Sequence, residues 1–219
     1  MIRKIIIIIL LILLIRSFFK KNKLLDKTFY DYKEVYPYLD ELKMNKDGIK
    51  NEVLNIINDD WKVWPEKYLY QNNNGWKVLP FYGFGFWIEN NCQKCPLIYS
   101  IIKKIPGLKT ASLSRLTPGT KLEPHRGWAK LSNYVLRCQY GIICGPDCIL
   151  GCENDVVEVT ENKIIVFDDS KLHYAQNNGP DDRIILILDI ERPNNVKIGN
   201  SDVTDTTELT QFIEYMKDY

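Results

Sequence analysis

Histidine is scarce in this sequence: among 219 residues there are only two, His125 and His173. Any metal site built on imidazole must therefore use one or both of them. Internal repeats are also missing, which excludes an array of repeated units. Outside residues 1–27 the chain carries 22 basic and 27 acidic residues. This mildly acidic balance excludes the positive footprint of a nucleic-acid-binding domain.

The first 27 residues differ in composition from the rest of the chain. They hold seven Lys and Arg against one acid, and residues 5–15 are an unbroken run of Ile and Leu. A membrane span needs about 20 residues, but Phe18 and Phe19 extend the run, and flanking lysines can snorkel. Small residues suited to signal-peptide cleavage are missing after it. We expect a single-pass N-terminal membrane anchor at residues 5–19, with a signal peptide or an interfacial segment as alternatives.

The rest of the chain is long enough for one domain with a sizeable core. Residues 1–27 are interpreted as the anchor with a basic tether. Residues 28–195 are interpreted as a catalytic or binding domain with its core at 107–193, and residues 196–219 as a polar tail. More positive charge follows the apolar run than precedes it, which favours a cytosolic domain but leaves the topology open.

The spacing of apolar residues predicts a mainly β fold behind N-terminal helices. Two short amphipathic helices are expected within residues 32–57, broken near 45–48, and others at 96–105 and 207–216. Strand patterns follow at residues 110–117, 133–143, 155–160, 163–167 and 183–190. Short strands separated by turn signals indicate a sandwich or jelly roll.

Residues 61–88 hold ten aromatic side chains interleaved with glycines. Such a composition is typical of strands and tight turns. A base-stacking surface has a similar composition, but the domain is acidic, so we interpret this stretch as core and pocket wall. The spacing of the six cysteines matches no standard zinc finger, so a local disulfide or free thiols are expected, with a zinc site that uses Cys92 and Cys95 as an alternative. The six are Cys92, Cys95, Cys138, Cys144, Cys148 and Cys152.

Both histidines lie just past strand-ending turns, where sites are usually built. Mononuclear Fe(II) oxygenases commonly bind iron with two His and one carboxylate. Two residues after His125, however, where such sites carry Asp or Glu, this chain has Gly127. Of the pair Asp168 and Asp169, one could orient His173 or act as a third ligand. Both could equally be turn-forming residues with a structural role.

Arg183 opens an apolar strand, residues 184–188. A bare charge in such a strand is costly, and a bound carboxylate would offset the cost. The guanidinium group can hold a carboxylate in a fixed, bidentate orientation. The alternative is an ordinary strand-end ion pair of Arg183 with Asp181 or Asp182.

Several motifs in fixed order carry a family resemblance over roughly residues 76–193. They are Ser114-Arg-Leu-Thr-Pro-Gly119, Pro124-His-Arg-Gly127, Arg137-x-Gln-Tyr-Gly141, Phe167-Asp-Asp-Ser-x-x-His173 and Arg183-x-x-Leu-x-x-Asp-x-x-Arg-Pro193. Together they resemble the aspartyl/asparaginyl beta-hydroxylases. The resemblance implies a double-stranded beta-helix, cupin-like dioxygenase that uses Fe(II), 2-oxoglutarate and oxygen.

The resemblance also implies roles for individual residues. His125 and His173 correspond to the two iron ligands, and Gly127 matches the family's glycine in place of a carboxylate. Ser114, Arg137 and Arg183 correspond to cosubstrate-binding positions. Gln139 stands where the family typically has a histidine; it can donate a hydrogen bond to a carboxylate but carries no charge.

The function expected from the resemblance is hydroxylation of an aspartyl or asparaginyl side chain in a protein substrate. Hydroxylation of a lipid acyl chain is an alternative, because a membrane anchor would hold the site at a bilayer. A jelly-roll binding module with weak or lost turnover is a further alternative, suggested by Gln139.

Overall fold

The computed structural model describes residues 24–72 and 74–217. Residues 24–26 and 193–197 form a small unit, in which Leu25 and Val196 make a parallel bridge. Residues 27–192 and 198–217 form the second unit, which carries the fold. Within residues 24–72 and 74–217, no helix is both long enough and apolar enough to cross a bilayer. The expected anchor at residues 5–19 lies outside the described residues.

The second unit is built on two antiparallel sheets. The larger sheet has the order β1-β10-β7-β12-β5-β3-β2, with β4 paired to β3. Its strands are β1 (Phe29–Tyr30), β2 (Lys62–Val63), β3 (Trp76–Gly83), β4 (Phe86–Trp87), β5 (Leu108–Leu116), β7 (Val135–Ile143), β10 (Ile164–Phe167) and β12 (Arg183–Glu191). The smaller sheet has the order β6-β11-β8-β9. Its strands are β6 (Lys121–His125), β8 (Cys148–Cys152), β9 (Asp155–Glu158) and β11 (His173–Asn177).

The core lies between the two sheets. Leu116, Ile165 and Ile185 of the larger sheet pack in one cluster with Leu150 and Ala175 of the smaller one. Two sheets packed face to face through alternating apolar residues are the architecture of a jelly roll. The mainly β fold expected from the sequence is confirmed.

Helices flank the larger sheet. They are α1 (Tyr32–Val35), α2 (Asp40–Met44), α3 (Lys46–Asn55), α4 (Glu89–Lys94), α5 (Pro96–Ile102), α6 (Ala129–Ser132) and α7 (Thr207–Lys217). Helix α5 begins with a proline, and the Glu52 carboxylate accepts hydrogen bonds from the amides of Leu97 and Ile98, at 2.6 and 3.0 Å. A carboxylate there satisfies amides that the helix leaves open and complements its dipole.

The pairing of strands places polar residues on the inward face of the larger sheet. Asp189 of β12 lies opposite Arg137 of β7, and Ile187 opposite Gln139. Side chains two apart on a strand share a face, so Arg183, Ile187 and Asp189 point the same way. A line of charged and amide groups therefore runs along a face that is otherwise core.

Candidate active site

The two histidines are direct neighbours on adjacent strands. His173 of β11 pairs in register with His125 of β6, and their ring centroids are 4.3 Å apart. Each Nδ1 lies against a backbone carbonyl: that of Glu123 at 2.7 Å for His125, and that of Lys171 at 2.9 Å for His173. A carbonyl only accepts, so both Nδ1 atoms carry the proton and both Nε2 atoms present a lone pair.

Burial keeps both imidazoles neutral. It lowers the pKa of His125 to about 4 and the pKa of His173 well below its usual value, and the proximity of His125 lowers the latter further. A metal ion binds the neutral form of imidazole, so no proton has to be displaced at neutral pH.

Asp169 occupies the space in front of Gly127. Its Oδ1 is 3.4 Å from His173 Nε2, and a Cβ added to Gly127 would lie 1.8 Å from Asp169 Oδ2. A carboxylate thus lies beside Gly127, on a residue 42 positions further along the chain. Because Asp169 lies on the Nε2 side and the Lys171 carbonyl on the Nδ1 side, the carbonyl, and not Asp169, orients the imidazole of His173.

Asp169 is a buried acid whose proton affinity is raised. Burial raises its pKa to about 7, although the nearby Arg137 guanidinium acts in the opposite direction. Neither of its oxygens makes a hydrogen bond of good geometry to the described residues. The Asp169 carboxylate and His173 Nε2 both present lone pairs at 3.4 Å and repel each other, so a proton or a cation between them would stabilise the arrangement.

Asp168 has the structural role that the sequence left open. Its Oδ1 accepts hydrogen bonds from the amide of Ser170, at 3.0 Å, and from the hydroxyl of the same residue, at 2.6 Å. Its Oδ2 accepts a hydrogen bond from Arg192 Nη1 at 3.0 Å. These contacts stabilise the turn that contains Asp169 and leads into β11 at His173.

Arg137 connects the histidine end of the site to the larger sheet. It donates two hydrogen bonds to Asp189, at 2.7 and 2.9 Å, and its Nη1 lies 2.6 Å from Asp169 Oδ1. Two carboxylates therefore engage the arginine that was expected to bind cosubstrate. In this arrangement Arg137 positions Asp169 beside His173.

Arg183, unlike Arg137, is buried without a carboxylate partner among the described residues. It is only 2% exposed, its Nη2 donates to Gln139 Oε1 at 2.8 Å, and its Nε is buried without a hydrogen-bond partner. No ion pair joins it to an acid among the described residues, and burial lowers its pKa. The alternative ion pair of Arg183 with Asp181 or Asp182 is not formed among the described residues; Asp182 is paired with Arg115 instead.

Ser114 lies near Arg183 on the neighbouring strand. It is opposite Ile185, two residues from Arg183, and its hydroxyl accepts a hydrogen bond from Trp76 Nε1 at 3.0 Å. Ser114, Gln139 and Arg183 thus share one inward-facing patch. His125 and Arg137 line the adjoining cavity, whereas these three do not.

A cavity of about 370 Å³ opens beside His125. Volumes of this order suit small molecules or one segment of a larger one. The aromatic stretch forms one wall with Trp64, Trp76 and Phe86, and helix α7 forms another with Phe212 and Met216. Residues 61–88 therefore contribute to the pocket wall, as expected. The contribution of residues 207–217 was not foreseen, because the segment reads as polar.

The residues present fit the two groups that the family resemblance implies. Two neutral imidazoles with a carboxylate alongside are donors that suit Fe(II). No cluster of three or more His, Cys, Asp or Glu is arranged for a metal ion in the described part of the chain, so the candidate metal donors are the two histidines, with Asp169 nearby. A buried guanidinium without an acid partner suits one carboxylate of 2-oxoglutarate. All six cysteines are free thiols.

Comparison with known proteins agrees with this geometry. The family described as Aspartyl/Asparaginyl beta-hydroxylase matches residues 43–193. An ornithine lipid ester-linked acyl 2-hydroxylase of Rhizobium tropici is 36% identical over 121 residues, which are 54% of this chain and 42% of that protein. The human aspartyl/asparaginyl beta-hydroxylase is 27% identical over 187 residues, 81% of this chain and 24% of that protein. The chain thus spans less than half the length of either relative.

Among solved structures, a prolyl hydroxylase from Trichoplax adhaerens, in complex with a hypoxia inducible factor peptide, is similar in fold. The TM-score is 0.50 at 14% sequence identity, over 68% of this chain and 79% of that one. At this identity the likeness concerns the fold alone. The match over residues 43–193 includes both histidines and every candidate cosubstrate residue, and the chain accordingly belongs to the aspartyl/asparaginyl beta-hydroxylase family.

Proposed function

We propose that this protein is an Fe(II)- and 2-oxoglutarate-dependent dioxygenase that converts a C–H bond of its substrate to C–OH. The observation that supports the proposal most strongly is the pairing of His125 with His173, with both Nδ1 atoms held by carbonyls. When bound, iron and 2-oxoglutarate supply the oxidising chemistry, with succinate and carbon dioxide as by-products. The protein's own residues bind, orient and exclude water.

Each residue has a role that follows from its contacts. His125 and His173 would hold the metal through Nε2, and Asp169 would sit beside it as the nearby carboxylate. Arg183 would bind the far carboxylate of 2-oxoglutarate, with Gln139 and Ser114 supplying hydrogen bonds. Because this patch is buried, water competes weakly for the carboxylate, and the ion pair gains strength.

Two substrate classes were expected, and the cavity bears on the choice. Its walls are mainly aromatic and aliphatic, which favours an apolar chain over the polar loop that surrounds an aspartyl or asparaginyl side chain. We therefore rank acyl-chain hydroxylation first and hydroxylation of a protein Asp or Asn second. The expected membrane anchor would place such a site near a bilayer.

The experiment is turnover by the full chain with Fe(II), 2-oxoglutarate and oxygen. Succinate should form, and a substrate should gain the mass of one oxygen atom. The matched control is the His173→Ala variant, which should form none. Folded protein that retains iron but forms no succinate, with either lipid or peptide candidates, would refute the dioxygenase proposal and favour a binding module.

A further inference from the structure

Glu66 is a buried carboxylate in the wall of the aromatic cavity. It is 2% exposed, and it precedes a short 3-10 turn at Lys67–Leu69. Three groups donate hydrogen bonds to it: the Tyr68 hydroxyl at 3.0 Å, Trp128 Nε1 at 3.3 Å and the Thr206 hydroxyl at 2.9 Å. All three reach the same oxygen, Oε1.

The other oxygen, Oε2, accepts no hydrogen bond from the described residues, and none of them forms an ion pair with Glu66. The arginines on the same cavity wall are engaged elsewhere. Arg126 donates to the Ser170 carbonyl, and Arg137 to Asp189. A buried anion without a counter-ion is costly, and a cation brought by a bound molecule would offset that cost.

The aromatic rings beside Glu66 suit such a cation. Trp64 lies between Trp76, at 4.7 Å, and Trp128, at 5.8 Å, so both of its own faces are covered and a ring face for a cation must come from Trp76 or Trp128; all three rings line the cavity. Ring faces attract ammonium and guanidinium groups, most strongly where water is excluded. Together with a carboxylate, they favour a cation over a neutral or anionic group of the same size.

We propose that Glu66 is a specificity-determining residue that binds an ammonium or guanidinium group of the substrate while the substrate's apolar part fills the cavity. The link to the histidines is short: Trp128, which donates to Glu66, follows His125 by three residues. That the bound molecule is hydroxylated rests on the proposed function. The charge preference of the cavity does not, because it requires no turnover.

The test measures binding of three probes of equal chain length: n-hexylammonium, 1-hexanol and hexanoate. Binding to the full chain is followed by isothermal titration calorimetry under nitrogen, without iron and again with Fe(II) and 2-oxoglutarate. We expect hexylammonium to bind about tenfold more tightly than hexanol, and hexanoate to bind least. Glu66→Gln keeps an oxygen for the three donors but removes the charge, so it should abolish this preference and leave hexanol affinity unchanged.

Glu208→Gln is the matched control, because it removes the same charge at an exposed position on α7; it should retain the preference. Wild-type protein that does not prefer hexylammonium overturns the proposal, as does a preference that persists in Glu66→Gln. If Glu66→Gln also loses hexanol binding, its three donors need a carboxylate, Glu66 is structural, and the proposal is rejected. A succinate assay on the same preparations reports the proposed function separately.

Discussion

Replacing Arg183 should raise the stability of the ligand-free protein and remove the stabilisation that 2-oxoglutarate provides. It is a fully buried guanidinium with one hydrogen bond, to Gln139, and no acid partner among the described residues. Replacing it by Met keeps the length and removes an uncompensated charge. Buried charges replaced by apolar groups commonly yield about 1–4 kcal/mol. Because Gln139 also loses a partner, we expect a net gain of about 1 kcal/mol in the ligand-free protein.

The same substitution should remove stabilisation by 2-oxoglutarate. A ligand at 100 times its dissociation constant stabilises the folded state by about 2.7 kcal/mol. For a protein of this size, 1 kcal/mol shifts the Tm by about 2–4 °C. The Arg183→Met variant should therefore melt about 2–4 °C above wild type without ligand, and below it with saturating 2-oxoglutarate. Thermal melts followed by circular dichroism, with Fe(II) under nitrogen, measure both shifts.

Arg115→Met is the control, because Arg115 is paired with Asp182. Its removal leaves that acid without its partner, so it should destabilise the protein by about 1 kcal/mol or more and preserve the shift caused by 2-oxoglutarate. If Arg183→Met lowers the ligand-free Tm as Arg115→Met does, or keeps the 2-oxoglutarate shift, the assignment of Arg183 to the cosubstrate carboxylate is wrong.

Substitutions at the two histidines, at Gly127 and at Gln139 probe the rest of the site. His125→Ala or His173→Ala should abolish iron retention measured by metal analysis after desalting, and iron that stays bound would contradict the ligand assignment. Gly127→Asp should lower the free energy of unfolding, measured by urea denaturation, by about 1–3 kcal/mol through overpacking against Asp169. Adding Asp169→Gly should restore the free energy of unfolding. If the effects of the two substitutions simply add, residues 127 and 169 do not compete for the same space. Gln139→His should tighten 2-oxoglutarate binding about tenfold by adding charge; unchanged or weaker binding in calorimetry would contradict a contact between this position and the cosubstrate.

Much of the larger sheet was predictable because its strands are apolar and long. Arg183–Glu191 was expected at 183–190, and Val135–Ile143 within 133–143. The N-terminal helices were expected too, but as two; the chain instead forms several short ones, interrupted by Pro37 and Asn45. Helix α5 ends at Ile102, before the predicted limit at residue 105.

The smaller sheet was largely missed. Strand β6 reads Lys-Leu-Glu-Pro-His, in which only Leu122 is buried, and β11 carries polar residues at most positions. Apolar alternation cannot indicate strands of this kind. The pairing of β6 with β11 places His125 opposite His173. The sequence predicted these two histidines as metal ligands, but it did not predict the strand register that brings them together.

The partners of the charged residues in the site were also only partly predictable from the sequence. For Arg183 the apolar strand left two environments open, a bound carboxylate or an ion pair with Asp181 or Asp182, and among the described residues the structure shows no such ion pair. The partners of Arg137 could not be read from spacing, because Asp169 and Asp189 lie 32 and 52 positions away and meet it only through the sheet. Glu66 gave no signal at all, since a single acid beside aromatic residues is indistinguishable in sequence from a surface residue.

Helix α7 lies outside residues 43–193, the stretch that matches the family, yet its side chains form part of the cavity wall. One part of the cavity wall therefore lies outside the stretch that holds the candidate metal and cosubstrate residues. Leu209, Phe212, Ile213 and Met216 line the cavity, belong to neither sheet and are not among the candidate metal or cosubstrate residues. Under the proposed function, substitutions in this eleven-residue helix would change the size of the cavity and with it the choice of substrate.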